Sequence, residues 1–235
     1  MGNNIKAIIF DKDGTLMQFD PFWLPVALAA TGEIAESLGI ENHLDTVRLA
    51  IGLHNGAVDS RGILCSGTYE QIADVFDAVL QQCENPQTVS GLQVAQVFEK
   101  HTCEGEVMPV CNNLPDVLEG LIERGIKLFL VTTDNPAITK ICLTGLGIKD
   151  KFERIFCDDG THPNKPNPRI IEEILADYGF ERKNLCMVGD TMTDVKFAHN
   201  GKITSVCVGN GDAREKADYA LSDVSQLLSF LNNEV

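Results

Sequence analysis

The chain has 235 residues, a formal net charge of −15 and a pI near 4.6, and 44% of its residues are hydrophobic. This length and composition are typical of a globular protein that buries a sizeable apolar core. The negative charge argues against nucleic acid as a partner, because binding to a phosphate backbone rewards clustered Lys and Arg.

The first predicted element is a short strand, IKAIIF, at residues 5–10. Its apolar run is too brief for a secretory signal. The longest apolar stretches elsewhere, such as WLPVALAA, are too short to span a bilayer. The eight cysteines are scattered and form no C-x-x-C pair, which favours buried thiols over disulfides. We therefore expect a cytoplasmic protein without a membrane partner, and we leave open whether it is a monomer or a homodimer.

The next block, residues 18–107, predicts helices only. A long amphipathic pattern opens it, and two capping boxes follow. Thr68 with Gln71 precedes the helical run IADVFDAVL, and Ser90 with Gln93 opens another helix. The first strand is therefore followed by an all-helical insertion.

The rest of the chain alternates strands with helices. Four more apolar runs predict buried strands, at residues 126–131, 153–157, 185–188 and 204–208. Because these runs are continuously apolar, they suit a parallel sheet with both faces covered. We expect an α/β doubly wound core domain, with a separate helical domain inserted into it. The predicted domains are residues 1–17 with 108–235 for the core and 18–107 for the insertion.

Polar side chains follow the predicted strands at one edge of this sheet, where ligands bind in open α/β folds. They are Asp11, Asp13, Thr132, Thr133, Asp190 and Asp194, with Lys165 in the loop after the third strand. Four carboxylates at one place need a cation, and hard oxygen ligands suit Mg²⁺. Thr132, Thr133 and Lys165 offer the donors and the charge that a phosphate group needs. The pattern predicts a metal and phosphate site.

The pair Asp11 and Asp13 fits two chemical roles. Asp11 ends the strand and is assigned as the nucleophile that attacks phosphorus. Asp13 is assigned as the general acid and base, and its backbone carbonyl as a further metal ligand. Lys12 lies between them, but strand alternation points its side chain away from Asp11. The predicted substrate is a small phosphorylated metabolite.

Four motifs in order carry a resemblance to a known family: FDKDGTL with Asp11, LFLVTTDN with Thr132, KPNP with Lys165, and MVGDTMTD with Asp190 and Asp194. With these motifs the chain resembles the haloacid dehalogenase superfamily, in its phosphoglycolate-phosphatase-like branch. The resemblance implies a Rossmann-like core with a helical cap and hydrolysis through an aspartyl-phosphate. It also implies Mg²⁺ held by Asp11, the Asp13 carbonyl and Asp190, with Asp194 in support.

The second motif departs from the family pattern at one place, and some residues and the function have alternative interpretations. Thr133 and Asp134 stand where many relatives carry Asn-Lys, which weakens the case for phosphoglycolate itself. Arg61 is a candidate for binding a second anionic group of the substrate, although a surface arginine is the commoner case. Asp194 also suits a charge at a helix N-terminus. A phosphomutase similar to β-phosphoglucomutase and a non-catalytic binding protein are the alternative functions, and the intact set of motif residues argues against the second.

Overall fold

The computed structural model describes residues 5–54, 56–59 and 62–233. Arg61, the predicted contact for a second anionic group, lies outside these residues. The chain divides into two compact units, Met1–Gln18 with Met108–Val235 and Phe19–Val107. The second unit is an insertion in the first, and it begins directly after the loop that follows the first strand.

The chain opens with strand β1 (Ala7–Phe10) and then enters the inserted unit. The helices of this unit are α1 (Phe19–Leu38), α2 (Leu44–Ile51), α3 (Ile63–Ser66), α4 (Tyr69–Gln82) and α5 (Gly91–Lys100). The capping boxes predicted for α4 and α5 are both present, because Gln71 and Gln93 each exchange hydrogen bonds with the residue that caps their helix. In the described part of the chain, no helix has the length and apolar character that crossing a membrane requires.

The inserted unit is not purely helical as expected, because it contains a two-stranded antiparallel hairpin. Its strands are β2 (Leu53–His54) and β3 (Ala57–Val58). Gly52 ends α2 with a φ of 98°, and Gly56 lies in the turn of the hairpin with a φ of 80°. Both φ values favour glycine. Strands of two residues carry too short a pattern for sequence periodicity to reveal.

After the insertion, helices and strands alternate to the end of the chain. The elements are α6 (Leu114–Glu123), β4 (Lys127–Val131), α7 (Pro136–Gly145), β5 (Arg154–Phe156), α8 (Arg169–Tyr178), β6 (Leu185–Gly189), α9 (Met192–Asn200), β7 (Thr204–Cys207), β8 (Tyr219–Ala220) and α10 (Leu227–Asn233). The predicted α/β fold with a parallel sheet flanked by helices is confirmed. The two-residue strand β8 has no counterpart among the predicted strands.

These strands form one six-stranded sheet in the order β5-β4-β1-β6-β7-β8, with every neighbouring pair parallel. Strand β1 lies at the centre, paired with β4 on one side and β6 on the other. From β1 the chain builds the sheet outward through β4 and β5, and then returns to build the other half. The strand order thus reverses beside β1, and such a reversal opens a crevice at the carboxyl ends of the strands.

The sheet is buried on both faces, as a parallel sheet requires. All four residues of β1 are fully buried. Ala7 and Ile9 face one side, where they belong to an apolar cluster that includes Ile171 of α8 and Phe197 of α9. The opposite face, with Ile8 and Phe10, is equally inaccessible to solvent. This burial fixes β1 firmly, and with it the position of the residues that follow.

Candidate active site and metal centre

Three strand ends place the predicted site residues along one edge of the sheet. Phe10 of β1 is in register with Leu130 of β4 and Val188 of β6, so the three strands end within one residue of the same level. Asp11 follows β1, and its backbone N–H donates to the carbonyl of Val188 at 2.9 Å. Thr132 follows β4 directly in the same way, and Asp190 follows β6. The crevice beside β1 is therefore lined by the polar residues that follow these three strands.

The core of the site is a group of three carboxylates. Asp11, Asp190 and Asp194 each offer one oxygen, and these oxygens all lie within 4.8 Å of one another. Lys165 joins the group, because its Nζ donates to Asp11 Oδ1 at 2.6 Å and to Asp194 Oδ1 at 2.7 Å. One ammonium cannot neutralise three carboxylates. The remaining negative charge and the hard oxygen donors fit a divalent cation.

Burial and like charge make two of these carboxylates, Asp11 and Asp190, hard to ionise while no cation is bound. Burial, together with the charges of Asp194 and Asp13, raises the pKa of Asp11 to about 7, against the lowering effect of Lys165. Burial and the two neighbouring carboxylates also raise the pKa of Asp190 well above its ordinary value. Although burial alone would lower the pKa of Lys165, Asp11 and Asp194 raise it, so this side chain is a permanent cation. The group therefore needs either protons or a cation to be stable.

Asp194 has two roles that the sequence analysis treated as alternatives. It is the third residue of α9, where its side chain completes a capping box with Thr191. The Thr191 hydroxyl donates to Asp194 Oδ2 at 2.6 Å, while Asp194 Oδ1 faces Lys165. The helix cap thus fixes the carboxylate that belongs to the charged group. Thr191 is not among the predicted site residues, although a Thr three residues before an Asp at the start of a helix indicates a capping box.

A second residue outside the predicted set supports Asp190. Thr15, which is fully buried, donates its hydroxyl to Asp190 Oδ1 at 3.1 Å. It belongs to the stretch DGT that follows β1, and so the first motif also orients a carboxylate that follows β6. The position of Thr15 inside the first motif could have indicated this role, because a buried Thr hydroxyl needs a hydrogen-bond acceptor.

Asp13 faces a different set of neighbours. Its side chain is not among the three grouped carboxylates and contacts Lys12, whose Nζ lies 2.7 Å from Asp13 Oδ1. Lys12 is fully buried and also pairs with Asp134 Oδ2 at 2.8 Å. Burial alone would lower the pKa of Lys12, but the two carboxylates raise it well above its ordinary value. The expected direction of the Lys12 side chain, away from Asp11, fits these contacts, whereas its pairing with Asp134 was not foreseen.

The second motif contributes Thr132 and Thr133. Thr132 is buried, and its Oγ1 accepts a hydrogen bond from the backbone N–H of Asp134 at 3.3 Å. Its hydroxyl proton is thus available to a ligand. Thr133 is half-buried beside it. Asn135 then caps α7 by accepting from the N–H of Ile138 at 2.9 Å.

Comparisons with known proteins show the family of the chain. The family model of the haloacid dehalogenase-like hydrolases matches residues 5–202. A phosphoglycolate phosphatase from Nitrosococcus oceani is 32% identical over 207 residues, which cover 88% of this chain and 84% of the relative. A glyceraldehyde 3-phosphate phosphatase from Pyrococcus furiosus is 25% identical over 252 residues, covering 98% and 94%. The crystal structure of a predicted phosphoglycolate phosphatase from Haemophilus somnus shares the fold with a TM-score of 0.71 at 23% identity, covering 97% and 98% of the two chains.

Proposed function

The chain belongs to the haloacid dehalogenase-like hydrolases, and from this premise we propose that it is a Mg²⁺-dependent phosphatase that hydrolyses a small phosphorylated metabolite through an aspartyl-phosphate on Asp11. One observation carries the proposal: Asp11 directly follows the central strand, and one of its oxygens is held by Lys165 at 2.6 Å, inside a group of carboxylates that fits a cation. A carboxylate so fixed is oriented for attack on phosphorus, and its ammonium partner is the charge that a phosphoryl group requires.

The donor set supports a magnesium site. Asp11 and Asp190 would hold the ion together with the backbone carbonyl of Asp13, and Asp194 would support them. All are hard oxygen donors, which Mg²⁺ prefers, and the raised pKa values of Asp11 and Asp190 mark a site where a cation relieves repulsion. When bound, Mg²⁺ neutralises charge on the phosphoryl oxygens and on the attacking carboxylate.

The residues of the chain divide the reaction into two steps. In the first, an Asp11 oxygen attacks phosphorus, the bond from phosphorus to the ester oxygen breaks, and Asp13 protonates the leaving oxygen. In the second, Asp13 takes a proton from water, water attacks phosphorus, and the bond to Asp11 breaks to release phosphate. Lys165 and the hydroxyls of Thr132 and Thr133 bind the phosphoryl oxygens throughout. Most of the acceleration in such transfers comes from this positioning and charge neutralisation.

The names of the relatives support a small substrate. One acts on phosphoglycolate and the other on glyceraldehyde 3-phosphate. Both compounds are small phosphate monoesters, so the shared chemistry is hydrolysis of that bond, while specificity differs between relatives. We place the protein in the cytoplasm, where such metabolites occur, and Arg61 remains our candidate for binding a second anionic group of the substrate.

The test is phosphate release from a panel of small phosphates, with and without Mg²⁺. The panel contains phosphoglycolate, glyceraldehyde 3-phosphate, sugar phosphates, nucleoside monophosphates and pyrophosphate. We expect release that requires Mg²⁺ and is lost in Asp11→Asn. The matched control is Asp150→Asn, which changes an exposed aspartate of the short 3-10 helix Lys149–Lys151 and should keep full activity.

Two other results would replace the proposal. Transfer of the phosphoryl group between positions of a sugar, with a requirement for a sugar bisphosphate, would identify a phosphomutase. Binding of an ester without any turnover in Mg²⁺ would identify a binding protein that has kept the site.

A further inference from the structure

The buried ion pairs of Lys12 form a second charged group, next to the three carboxylates but separate from them. Lys12 has no solvent exposure, and lysines are almost never fully buried unless they are paired. Its Nζ lies 2.7 Å from Asp13 Oδ1 and 2.8 Å from Asp134 Oδ2. Asp134 is itself buried, with 8% of its surface exposed. A group of this kind is costly to bury, so its geometry is tightly determined.

The surroundings of Lys12 hold its ammonium in one place. Besides the two carboxylates, its Nζ lies 3.4 Å from Met17 Sδ and 3.7 Å from Cys142 Sγ, and Cys142 is fully buried on α7. Asp134 is anchored independently, because its backbone N–H donates to Thr132 Oγ1 and its carbonyl accepts from the N–H of Asp158 at 2.8 Å. The anchored Asp134 therefore contacts Asp13 in two ways, through Lys12 and by a hydrogen bond between the two carboxyl groups.

From this arrangement we propose that Lys12 and Asp134 are positioning residues for Asp13, and that the reaction depends on them for transfer of the proton to the leaving group. The inference rests on the proposed function, in which Asp13 is the general acid. Lys12 holds one oxygen of the Asp13 carboxyl group and so fixes the direction in which that group faces. Asp134 positions Asp13 both through Lys12 and by its own hydrogen bond with the Asp13 carboxyl group.

Dependence on the leaving group separates this role from a merely structural one. An alkyl ester leaves as a strongly basic alkoxide and needs the proton from Asp13, whereas p-nitrophenyl phosphate leaves as a stable phenolate and does not. A misplaced Asp13 therefore slows phosphorylation of Asp11 by the alkyl ester selectively. A general loss of structure would slow both esters alike.

The experiment measures formation of the aspartyl-phosphate in single turnovers by rapid quench, in Mg²⁺, with the best alkyl phosphate of the panel and with p-nitrophenyl phosphate. In Lys12→Met we expect the rate with the alkyl ester to fall roughly 100-fold and the rate with p-nitrophenyl phosphate to fall less than about threefold. The control is Lys140→Met, an exposed lysine of α7, which should change neither rate.

Asp134 provides a second test that does not depend on whether Lys12→Met folds. Asp134→Ala removes the anchor but keeps Lys12 and Asp13, and we expect the rate with the alkyl ester to fall roughly tenfold while the rate with p-nitrophenyl phosphate is unchanged. Asp134→Asn keeps an oxygen acceptor for Lys12 and should restore most of the lost rate.

Equal loss with both esters, or no loss with either, would overturn the positioning role. Failure of the proposed function looks different. In that case the unaltered protein would form no phosphoenzyme from either ester, or Asp11→Asn would still release phosphate.

Discussion

Gly14 and the carboxylate of Asp190 are in such close contact that a Cβ at residue 14 would lie 2.2 Å from Asp190 Oδ2. Gly14 also has a φ of 73°, in the left-handed region that favours glycine. The turn within the first motif thus brings the backbone of Gly14, which has no side chain, against a carboxylate of the proposed metal site. No side chain larger than hydrogen fits there unless Asp190 moves.

We therefore expect Gly14→Ala to displace Asp190 and to weaken Mg²⁺ binding and phosphate release by about tenfold or more, beyond a backbone cost of about 1–2 kcal/mol. Gly179→Ala is the matched control, because Gly179 has a φ of 65° but a Cβ added there would meet nothing within 4 Å. In thermal melts the Tm of the control should fall about as much as that of Gly14→Ala, while its rate of phosphate release should be unchanged. If the two variants lose activity equally, contact with Asp190 is not the cause.

Substitution of Lys165 should affect phosphate release and Mg²⁺ binding differently. Its ammonium contacts Asp11 and Asp194, and it is the proposed ligand of the phosphoryl group. In Lys165→Met we expect phosphate release to fall more than about 100-fold, because a buried charge near the transition state is lost. Mg²⁺ binding, measured by calorimetry at pH 8.5, should be as tight or tighter, since a cation repels Mg²⁺.

Lys196→Met, at an exposed position of α9, is the control for this substitution and should behave like the unaltered protein. Loss of Mg²⁺ binding in Lys165→Met would show instead that Lys165 is needed to assemble the carboxylates.

The raised pKa values predict how stability depends on pH when no metal is present. A carboxyl group whose pKa rises on folding binds protons more readily in the folded state, so its contribution to stability is lost as pH rises. For Asp11 this loss of stability takes place as the pH rises from the ordinary pKa of 3.8 to the raised pKa of about 7. Asp190 acts in the same direction, because its pKa is also raised, by burial and by the charges of Asp11 and Asp194.

Asp190→Asn removes one of the repelling charges and tests this pH dependence. We expect the metal-free variant to be more stable than the unaltered protein at pH 8, by about 1 kcal/mol or roughly 2–4 °C in Tm, and the difference to vanish near pH 4. In saturating Mg²⁺ the unaltered protein should be the more stable of the two, because the variant lacks one of the side chains that bind the ion. A difference in Tm that is equal at both pH values would contradict the assigned repulsion.

Thr191 both caps α9 and holds a carboxylate of the candidate site. Its hydroxyl donates to Asp194 Oδ2 at 2.6 Å and caps α9. Thr191→Ala should cost about 1 kcal/mol in the free energy of unfolding, as loss of a cap does, and should also lower phosphate release. Thr191→Ser keeps the hydroxyl and should restore both.

Thr68→Ala removes the equivalent cap of α4 and serves as the comparison for stability. It should lower Tm to a similar extent without changing Mg²⁺ affinity. Mg²⁺ affinity that falls equally in both alanine variants would show that the effect of Thr191 is general destabilisation.

Local signals were enough to predict much of this protein. Continuous apolar runs predicted β1, β4, β5, β6 and β7, because a strand buried on both faces has to be apolar throughout. Polar residues directly after three of these runs predicted the site, since parallel strands end at one edge. Asp11, Thr132 and Asp190 were therefore readable from the sequence. So were the capping boxes of α4 and α5, whose partners lie three residues apart.

Other features depended on contacts between residues far apart in the chain. The strands β2, β3 and β8 have two residues each, and only pairing with a neighbour defines them. The pairing of Lys165 with both Asp11 and Asp194 joins two loops and the first turn of α9 at the edge of the sheet. The pairing of buried Lys12 with Asp134 likewise depends on β1 and β4 lying side by side. Local periodicity determines which residues are buried and where strands end, but the partner of a buried charge is decided only when the sheet brings distant loops together.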